Sequence, residues 1–331
     1  MSLHALTVSL LVSALAAPGV PPGRAAKGSY LYDVSDNTGP VPSSWASLYY
    51  DPEHKELYVV DRSDGTVGIF NDGGMELYRF GQDSAIGTII ALAVLEDGDL
   101  MVLTSNKGHP MLFRCNFRGE PRGRVEWRNL PSGFETDFWP DAIAARAGKL
   151  YLAQKGALKV LVTDLAGNTL AAHDYFHELG FDKMRSARGG IPAMQSFYVD
   201  PDGTMLFAIA PLFKAFLISP GGKLTAFGER GGSPGRFNVV GGMTRDPAGN
   251  LLLTDVLRGV VMVFSPTFEF LGEFAGRGWA EGQLIAPLEV AAGGGKAFVS
   301  QSAGRGVSVF RYDVPGPQPA PAAAATTPSG S

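Results

Sequence analysis

The chain of 331 residues lacks the residue patterns of several common kinds of functional site. It has one cysteine, Cys115, so an internal disulfide and a thiolate-cluster metal site are both excluded. Lysine and arginine number 28 against 32 aspartates and glutamates, a net charge of −4, whereas general nucleic-acid binders are usually strongly basic. No apolar run reaches the roughly 20 residues that a membrane-spanning helix needs. The sequence therefore predicts neither a nucleic-acid partner nor a membrane span.

What the chain does contain is enough apolar sequence for a large core, broken by many turns. Apolar residues make up 45% of it and charged residues 18%, which excludes a globally disordered chain. There are 43 glycines and 23 prolines without a collagen period, so the chain is interrupted at short intervals.

The two ends have compositions of their own. Residues 6–17 read LTVSLLVSALAA, an apolar run followed by small residues, which is typical of a signal peptide, although the preceding MSLH carries no lysine or arginine. The alternative is a buried first helix. We expect a signal peptide over residues 1–17, a linker over 18–27, and a periplasmic or extracellular protein in a bacterium. Residues 315–331, rich in proline and alanine and uncharged, predict a disordered tail.

A repeat fills the region between the two ends. YYDPEHKELYVVD, YVDPDGTMLFAIA and TRDPAGNLLLTD each place a turn between strand-like runs, and three weaker copies follow the same pattern. The turns lie at positions 51, 95, 145, 200, 246 and 292, so the intervals are 44, 50, 55, 46 and 46 residues. This is about the length of a four-stranded propeller blade, and the sequence predicts an all-β, six-bladed propeller over residues 28–314.

The sixth copy ends without a fourth strand. The strand-like segment SYLYDV at residues 29–34 precedes the first copy, and we expect it to supply the missing outer strand. Such a pairing joins the two ends of the ring and removes an exposed sheet edge.

Two segments also resemble a known family. GEFAGRGWAEGQLIAPLEVA, residues 272–291, is similar to the linker between NHL repeats, and TRDPAGNLLLTDVLRGVVMVF is similar to the repeat itself. The resemblance covers about residues 28–314 and implies an NHL-type six-bladed propeller, a fold that hosts many functions. It also implies an alternative, because similar propellers that are amidating lyases or lactonases hold a metal ion in the central tunnel.

The candidates for such a metal site are few. The residues that end the second strand of each copy include two carboxylates, Asp61 and Asp255, and no histidine, whereas calcium or zinc needs three or more good ligands. We expect these aspartates to hold loops, and no cofactor to be required. The alternative is a metal-dependent hydrolase or lyase with calcium or zinc at Asp61 and Asp255. No nucleophile elbow or phosphate-binding loop is present.

The loops carry the candidates for binding. Every copy places one cation between its second and third strands, on the face where the blade-connecting loops also open: Arg62, Lys107, Lys155, Lys214, Arg258 and Arg305. These form a basic ring unless neighbouring aspartates neutralise them, and the sequence leaves both possibilities open. Two long loops add Trp139, Arg185 and Arg188, residue types that dominate binding surfaces. The leading interpretation is a monomeric, non-catalytic ring that binds a protein or polymer.

Overall fold

The computed structural model describes residues 25–43, 46–82, 85–181 and 192–314. The predicted signal peptide, the predicted tail, and the binding candidates Arg185 and Arg188 lie outside these ranges. Within the described ranges, no helix has the length and apolarity to cross a bilayer.

The fold is a ring of six antiparallel, four-stranded sheets, as the repeat predicts. The chain begins with β1 (Lys27–Asp33) and a short hairpin, β2 (Ser35–Asp36) and β3 (Gly39–Pro40). Blade 1 then comprises β4 (Ala46–Asp51), β5 (Glu56–Asp61), β6 (Thr66–Phe70) and β7 (Glu76–Phe80). Blade 2 comprises β8 (Thr88–Val94), β9 (Leu100–Asn106), β10 (His109–Cys115) and β11 (Pro121–Val125).

The remaining blades repeat this order. Blade 3 comprises β12 (Ala142–Arg146), β13 (Lys149–Gln154), β14 (Lys159–Asp164) and β15 (Thr169–Asp174), and is followed by a one-turn helix, α1 (Tyr175–Glu178). Blade 4 comprises β16 (Ser196–Val199), β17 (Met205–Ile209), β18 (Lys214–Ile218) and β19 (Leu224–Phe227). Blade 5 comprises β20 (Val240–Arg245), β21 (Leu251–Asp255), β22 (Val260–Phe264) and β23 (Phe270–Ala275). Blade 6 comprises β24 (Pro287–Gly293), β25 (Lys296–Gln301) and β26 (Val307–Asp313).

The N-terminal strand completes blade 6, which confirms the predicted closure. β1 pairs antiparallel with β26, from Lys27 opposite Asp313 to Asp33 opposite Ser308. The Ser308 hydroxyl donates to Asp33 Oδ1 at 2.6 Å, and the Tyr30 ring packs edge-on against Phe310. The first and last parts of the ring are therefore held by backbone pairing, a side-chain hydrogen bond and apolar contact together.

Aspartates shape the turn between the first and second strands in blades 1, 2, 4 and 5. Asp246 Oδ1 accepts hydrogen bonds from the backbone N–H of Ala248 at 2.9 Å and of Asn250 at 2.8 Å. Gly249, between them, has φ +87°, a conformation that costs glycine little. The D-P-x-G-N pattern thus encodes a tight hairpin between the first and second strands of a blade.

Apolar residues fill the spaces between blades. Six clusters of buried residues are found in the described chain, one for each pair of neighbouring blades around the ring. Strands β6, β17, β21 and β22 are buried at every residue, because both faces of a blade contact another blade. Cys115 lies in the cluster between blades 1 and 2, and burial raises the pKa of its thiol to about 11.

Candidate functional site

The ring has two different faces. The loop face contains the hairpins between second and third strands and the segments that connect blades, since Ala46 at the start of β4 lies opposite Asp61 at the end of β5. The turn face contains the other hairpins of each blade. All six predicted cations therefore lie on the loop face, together with Trp139.

At or near the end of the second strand, several blades carry a residue that holds the segment entering the same blade. Thr104, Gln154, Asp255 and Gln301 do so in blades 2, 3, 5 and 6. The bonds are Thr104 Oγ1 to the Ile86 carbonyl (2.7 Å), Trp139 N to Gln154 Oε1 (3.2 Å), Asn238 N to Asp255 Oδ2 (2.9 Å), and Ile285 N to Gln301 Oε1 (2.8 Å). A polar side chain at this position thus fixes a loop across the edge of the channel.

The two aspartates considered as metal ligands both make local bonds. Asp255 also accepts from the backbone N–H of Arg258 at 3.0 Å, and Asp61 Oδ1 accepts from the backbone N–H of Ser63 at 2.9 Å. Nowhere in the described ranges do three or more histidine, cysteine, aspartate or glutamate side chains gather as metal ligands would. The tunnel metal remains a prediction of the resemblance.

The six cations differ in how they are paired. Arg258 bonds to Glu273, which neutralises it. Lys214 Nζ donates to the Gly228 carbonyl at 2.6 Å, and Arg305 Nη1 donates to the Trp279 carbonyl at 2.9 Å, so both bonds go to uncharged groups. Lys107 lies exposed at the tip of its hairpin. The sequence left open whether the cations form a basic ring or are neutralised by carboxylates. In the structure, some of them are neutralised and others are not.

Arg62 and Lys155 converge at the mouth of the channel. Arg62, in blade 1, donates from Nη2 to the carbonyl of Asp141, which lies at the start of blade 3. Asp141 Oδ1 in turn accepts from the backbone N–H of Lys155 at 2.9 Å, and its Oδ2 lies 4.0 Å from Lys155 Nζ. Two cations from different blades thus contact the same residue, Arg62 at its backbone carbonyl and Lys155 at its carboxylate.

Glu289 is the fourth member of this group, and sequence reasoning missed it. It lies on β24, the inner strand of blade 6, next to a β-bulge, a feature that re-aims side chains. Burial raises the pKa of Glu289, while the charges of Lys155 and Arg62 oppose the shift and that of Asp141 adds to it. Residues of blades 1, 3 and 6 can interact this way only through the central channel, so the Glu289 carboxyl faces the channel.

One feature of the sequence could have identified Glu289, because no other charged residue lies near it in its strand. It is the one charged residue in the strand sequence PLEVAAG. A charged side chain on an inner strand has to face the channel or be paired, because the rest of that strand packs between blades. We call Arg62, Asp141, Lys155 and Glu289 the mouth cluster.

The long loop before blade 3 is divided between core and rim. Phe134 and Phe138 are buried in the cluster between blades 2 and 3, where Trp127 packs edge-on against Phe138. Trp139 is 41% exposed and its ring stacks on His109. The apolar part of the loop is therefore structural, and Trp139 is its exposed part.

A second polar group lies at the turn-face end of the channel. Arg146 Nε donates to the Val199 carbonyl at 2.9 Å, and its guanidinium lies over the Tyr198 ring. Burial raises the pKa of both Tyr49 and Tyr198, and the nearby Arg146 charge opposes that shift in each. Side chains from blades 1, 3 and 4 therefore meet at this end.

Asp200 belongs to the same end and is almost fully buried. Arg245 Nη1 lies 3.0 Å from its Oδ2, yet neither carboxylate oxygen accepts a well-aligned hydrogen bond from a described residue. Burial raises the pKa of Asp200 to about 6, with Asp202 adding to the shift and Arg245 and Arg146 opposing it. Ionisation of Asp200 is therefore less favourable in the folded state than in the unfolded state.

This shift predicts a pH dependence of stability. Between about pH 4 and pH 6 the folded chain retains a proton on Asp200 that the unfolded chain releases, so the free energy of unfolding falls as pH rises through this window. The expected loss is about 2–3 kcal/mol. Denaturant unfolding from pH 4 to 7 measures it, and Asp200→Asn should lack this part of the slope. Equal slopes in both proteins would contradict the assignment.

Comparison with known proteins supports the fold and leaves the family open. No protein-family model matches the chain, and no curated protein matches its sequence. The resemblance to NHL repeats is therefore not confirmed beyond the fold.

Many solved structures do match. A Bacteroides thetaiotaomicron protein of unknown function is 14% identical, with a TM-score of 0.60 over 87% of this chain and 76% of its own. A streptogramin B lyase is 13% identical, with a TM-score of 0.53 over 87% of this chain and 98% of its own. Virginiamycin B lyase from Staphylococcus aureus is 13% identical, with a TM-score of 0.51 over 83% of each chain. Likeness at this identity is evidence for the propeller fold alone.

Proposed function

We propose that the protein is an exported, non-catalytic binding module that holds an acidic protein or polymer on its loop face. The observation that carries this proposal is the mouth cluster, in which Arg62 and Lys155 reach the same point from different blades. A concave site with a few converging polar groups is the usual form of a ligand site. The expectation of export rests on the N-terminal sequence.

The pairing of the other cations supports an acidic ligand. Lys214 and Arg305 bond backbone carbonyls, and Lys107 is exposed, so these three retain charge that an anionic group can neutralise. Carbonyl bonds hold two of the three side chains in place, which lowers the entropy lost when a ligand binds.

Recognition on this face is local, because carboxylates are interspersed with the cations. Glu135, Asp137 and Glu281 are exposed on the same loops. Charges that are exposed and separated by more than about 8–10 Å are largely screened at physiological ionic strength. We therefore expect affinity to depend on the position of individual cations, rather than on a uniform positive surface.

A charge reversal tests the proposed face. Lys107, Lys155 and Lys214, all changed to Glu, should lower the affinity for poly-glutamate or polygalacturonate by about tenfold or more at low ionic strength. The matched control changes three exposed lysines of the turn face, Lys55, Lys149 and Lys223, to Glu. Both triple variants change the net charge equally, so only position distinguishes them. Titration calorimetry measures the affinities.

Equal losses in the two triple variants would show that net charge, and not the loop face, controls binding. Absence of binding by the parent protein to both polymers would overturn the proposed function. The turn-face variant should melt near the parent, because exposed charges contribute little to stability. The loop-face variant also loses the contacts of Lys155 with Asp141 and of Lys214 with Gly228, so its affinity is compared only at temperatures where its melting curve shows it folded.

Glu289 favours a second candidate function, a hydrolase or lyase with its reaction at the channel mouth. Burial raises the pKa of Glu289, so this carboxyl keeps its proton more readily than a free one, which suits a general acid at the channel mouth. Two of the similar structures described above are lyases. This candidate assigns the chemistry to Glu289, rather than to Asp61 and Asp255. Shortening of a polymer probe during incubation, seen as falling viscosity, distinguishes it from binding alone.

A further inference from the structure

Two exposed tryptophans on the loop face are held in fixed orientations. Trp139 has its ring stacked on His109, with ring centres 5.5 Å apart and planes 28° apart, and its backbone N–H donates to Gln154. Trp279 is 66% exposed and has the Arg305 guanidinium 5.4 Å from the centre of its ring. Arg305 also donates to the carbonyl of Trp279, so the residue is fixed at both ends.

The two tryptophans lie on opposite sides of the channel mouth. Trp139 precedes blade 3 and contacts blade 2, whereas Trp279 precedes blade 6 and contacts Arg305 of that blade. In a ring of six blades these positions are half a turn apart. The mouth cluster lies between them, since it draws on blades 1, 3 and 6. A ligand that contacts both rings and the mouth has to be extended.

The surroundings of the tryptophans are polar. Of the exposed large apolar residues in the described chain, only Leu257 joins Trp139 and Trp279 on the loop-face hairpins and connecting segments. A stable protein interface has a contiguous apolar core, which three separated residues do not supply. Nucleic acid requires a concentration of positive charge, whereas this face carries both signs and the chain has a net charge of −4.

Isolated indole faces in polar surroundings suit sugar rings. A pyranose presents a flat face of C–H groups that packs on an aromatic ring, while its hydroxyls require hydrogen-bonding neighbours. Arg305 lies against Trp279, and Arg62 bonds the carbonyl of Asp141, two residues from Trp139. Both guanidinium groups bond backbone carbonyls here, so each remains available for a carboxylate on a sugar.

We infer that the ligand is an acidic polysaccharide, with sugar rings on Trp139 and Trp279 and carboxylates at the arginines beside them. This inference rests on the proposed function of the loop face and names the class of its polymer. The chain is bound across the channel mouth, over the mouth cluster. Stacking of sugar rings on the tryptophans makes binding selective for polysaccharides over other polyanions. The cations contribute affinity for all polyanions alike.

The test uses two polyanions with the full-length protein. Trp139→Ala and Trp279→Ala should each lower the affinity for polygalacturonate about tenfold, while the affinity for poly-glutamate changes less than about twofold. The matched control is Phe117→Ala, because Phe117 is 60% exposed and lies beside Arg118, but on the turn face. It should leave both affinities unchanged. Titration of the parent with polygalacturonate should also change its tryptophan fluorescence, and each tryptophan variant should lose part of that change.

Three results would overturn the inference. They are unchanged polygalacturonate binding in both tryptophan variants, equal losses for the two polymers, and tighter, tryptophan-dependent binding of single-stranded oligothymidylate. Absence of any binding by the parent is a different result, because it removes the proposed function itself. Poly-glutamate binding without polygalacturonate binding leaves the proposed function intact and removes only the sugar assignment.

Discussion

Deletion of residues 28–36 should abolish cooperative unfolding. The deletion removes nearly all of β1, whose pairing with β26 closes the ring, and it removes Val34, which is buried between blades 6 and 1. It also exposes Phe310 and Phe274, which Tyr30 and Gly28 now contact or approach. The expected cost exceeds about 5 kcal/mol, comparable with the whole stability of many domains. Differential scanning calorimetry should show a broad transition with little heat.

Two controls separate ring closure from a general effect of change at this end. Lys27→Ala alters an exposed residue of the same strand and should melt like the parent. A synthetic peptide of residues 25–36, added in excess to the truncated protein, should restore part of the sharp transition, since binding to the folded state stabilises it. A truncated protein that melts like the parent would show that β1 does not close the ring.

The fold could be predicted because its determinants are local and repeated. Asp51, Asp200 and Asp246 each begin a hairpin of similar sequence, and the spacing between turns gives the number of strands in each blade. The weaker copies, around residues 95 and 145, still form complete blades 2 and 3. Alternation and turn residues are thus sufficient even where the repeat sequence is poorly matched. The missing strand of the sixth copy predicted the closure for the same reason.

The mouth cluster could not be predicted in the same way. Arg62, Asp141, Lys155 and Glu289 are distributed over more than two thirds of the chain. Their meeting depends on side chains from several blades reaching the same point and on a bulge in β24, and the repeat pattern encodes neither of these. The sequence placed Arg62 and Lys155 on the correct face, but it treated all six cations as equivalent. Pairing with Glu273 distinguishes Arg258 from the rest, and that contact joins the hairpin between β21 and β22 to the outer strand β23.

Neighbouring residues in the long loop show a further limit. Phe138 is 5% exposed and Trp139 is 41% exposed, although both are aromatic and adjacent. An irregular segment has no period from which an inward side can be inferred. The bond from Trp139 N–H to Gln154 fixes the direction of the segment, and that partner follows only from the three-dimensional arrangement.

Gly242→Val should destabilise the ring and displace the mouth cluster. Gly242 lies on β20, the inner strand of blade 5, where a bulge separates Val240 from Met243. A Cβ atom at this position would lie 2.5 Å from Glu289 Cα and 2.6 Å from Val290 N. These are backbone atoms of β24, so the strand that carries Glu289 has to move. The expected cost is about 3 kcal/mol, at the upper end of the range for overpacking, and Tm should fall by several degrees.

The control for this variant is Gly123→Ala in the outer strand β11, where an added Cβ has nothing within 4 Å. Gly123→Ala should change the free energy of unfolding by less than about 1 kcal/mol. The change should be stabilising if alanine lowers the conformational entropy of the unfolded chain. Gly242→Ala tests the same contact with the smallest side chain and should lie between the two. Because Glu289 moves with β24, Gly242→Ala should also weaken polymer binding more than its loss of stability explains.

If Gly242→Val and Gly123→Ala melt at the same temperature, the close approach of blades 5 and 6 at this point is wrong. If Gly242→Ala binds like the parent while its Tm falls, the position of β24 matters for stability but not for the mouth cluster.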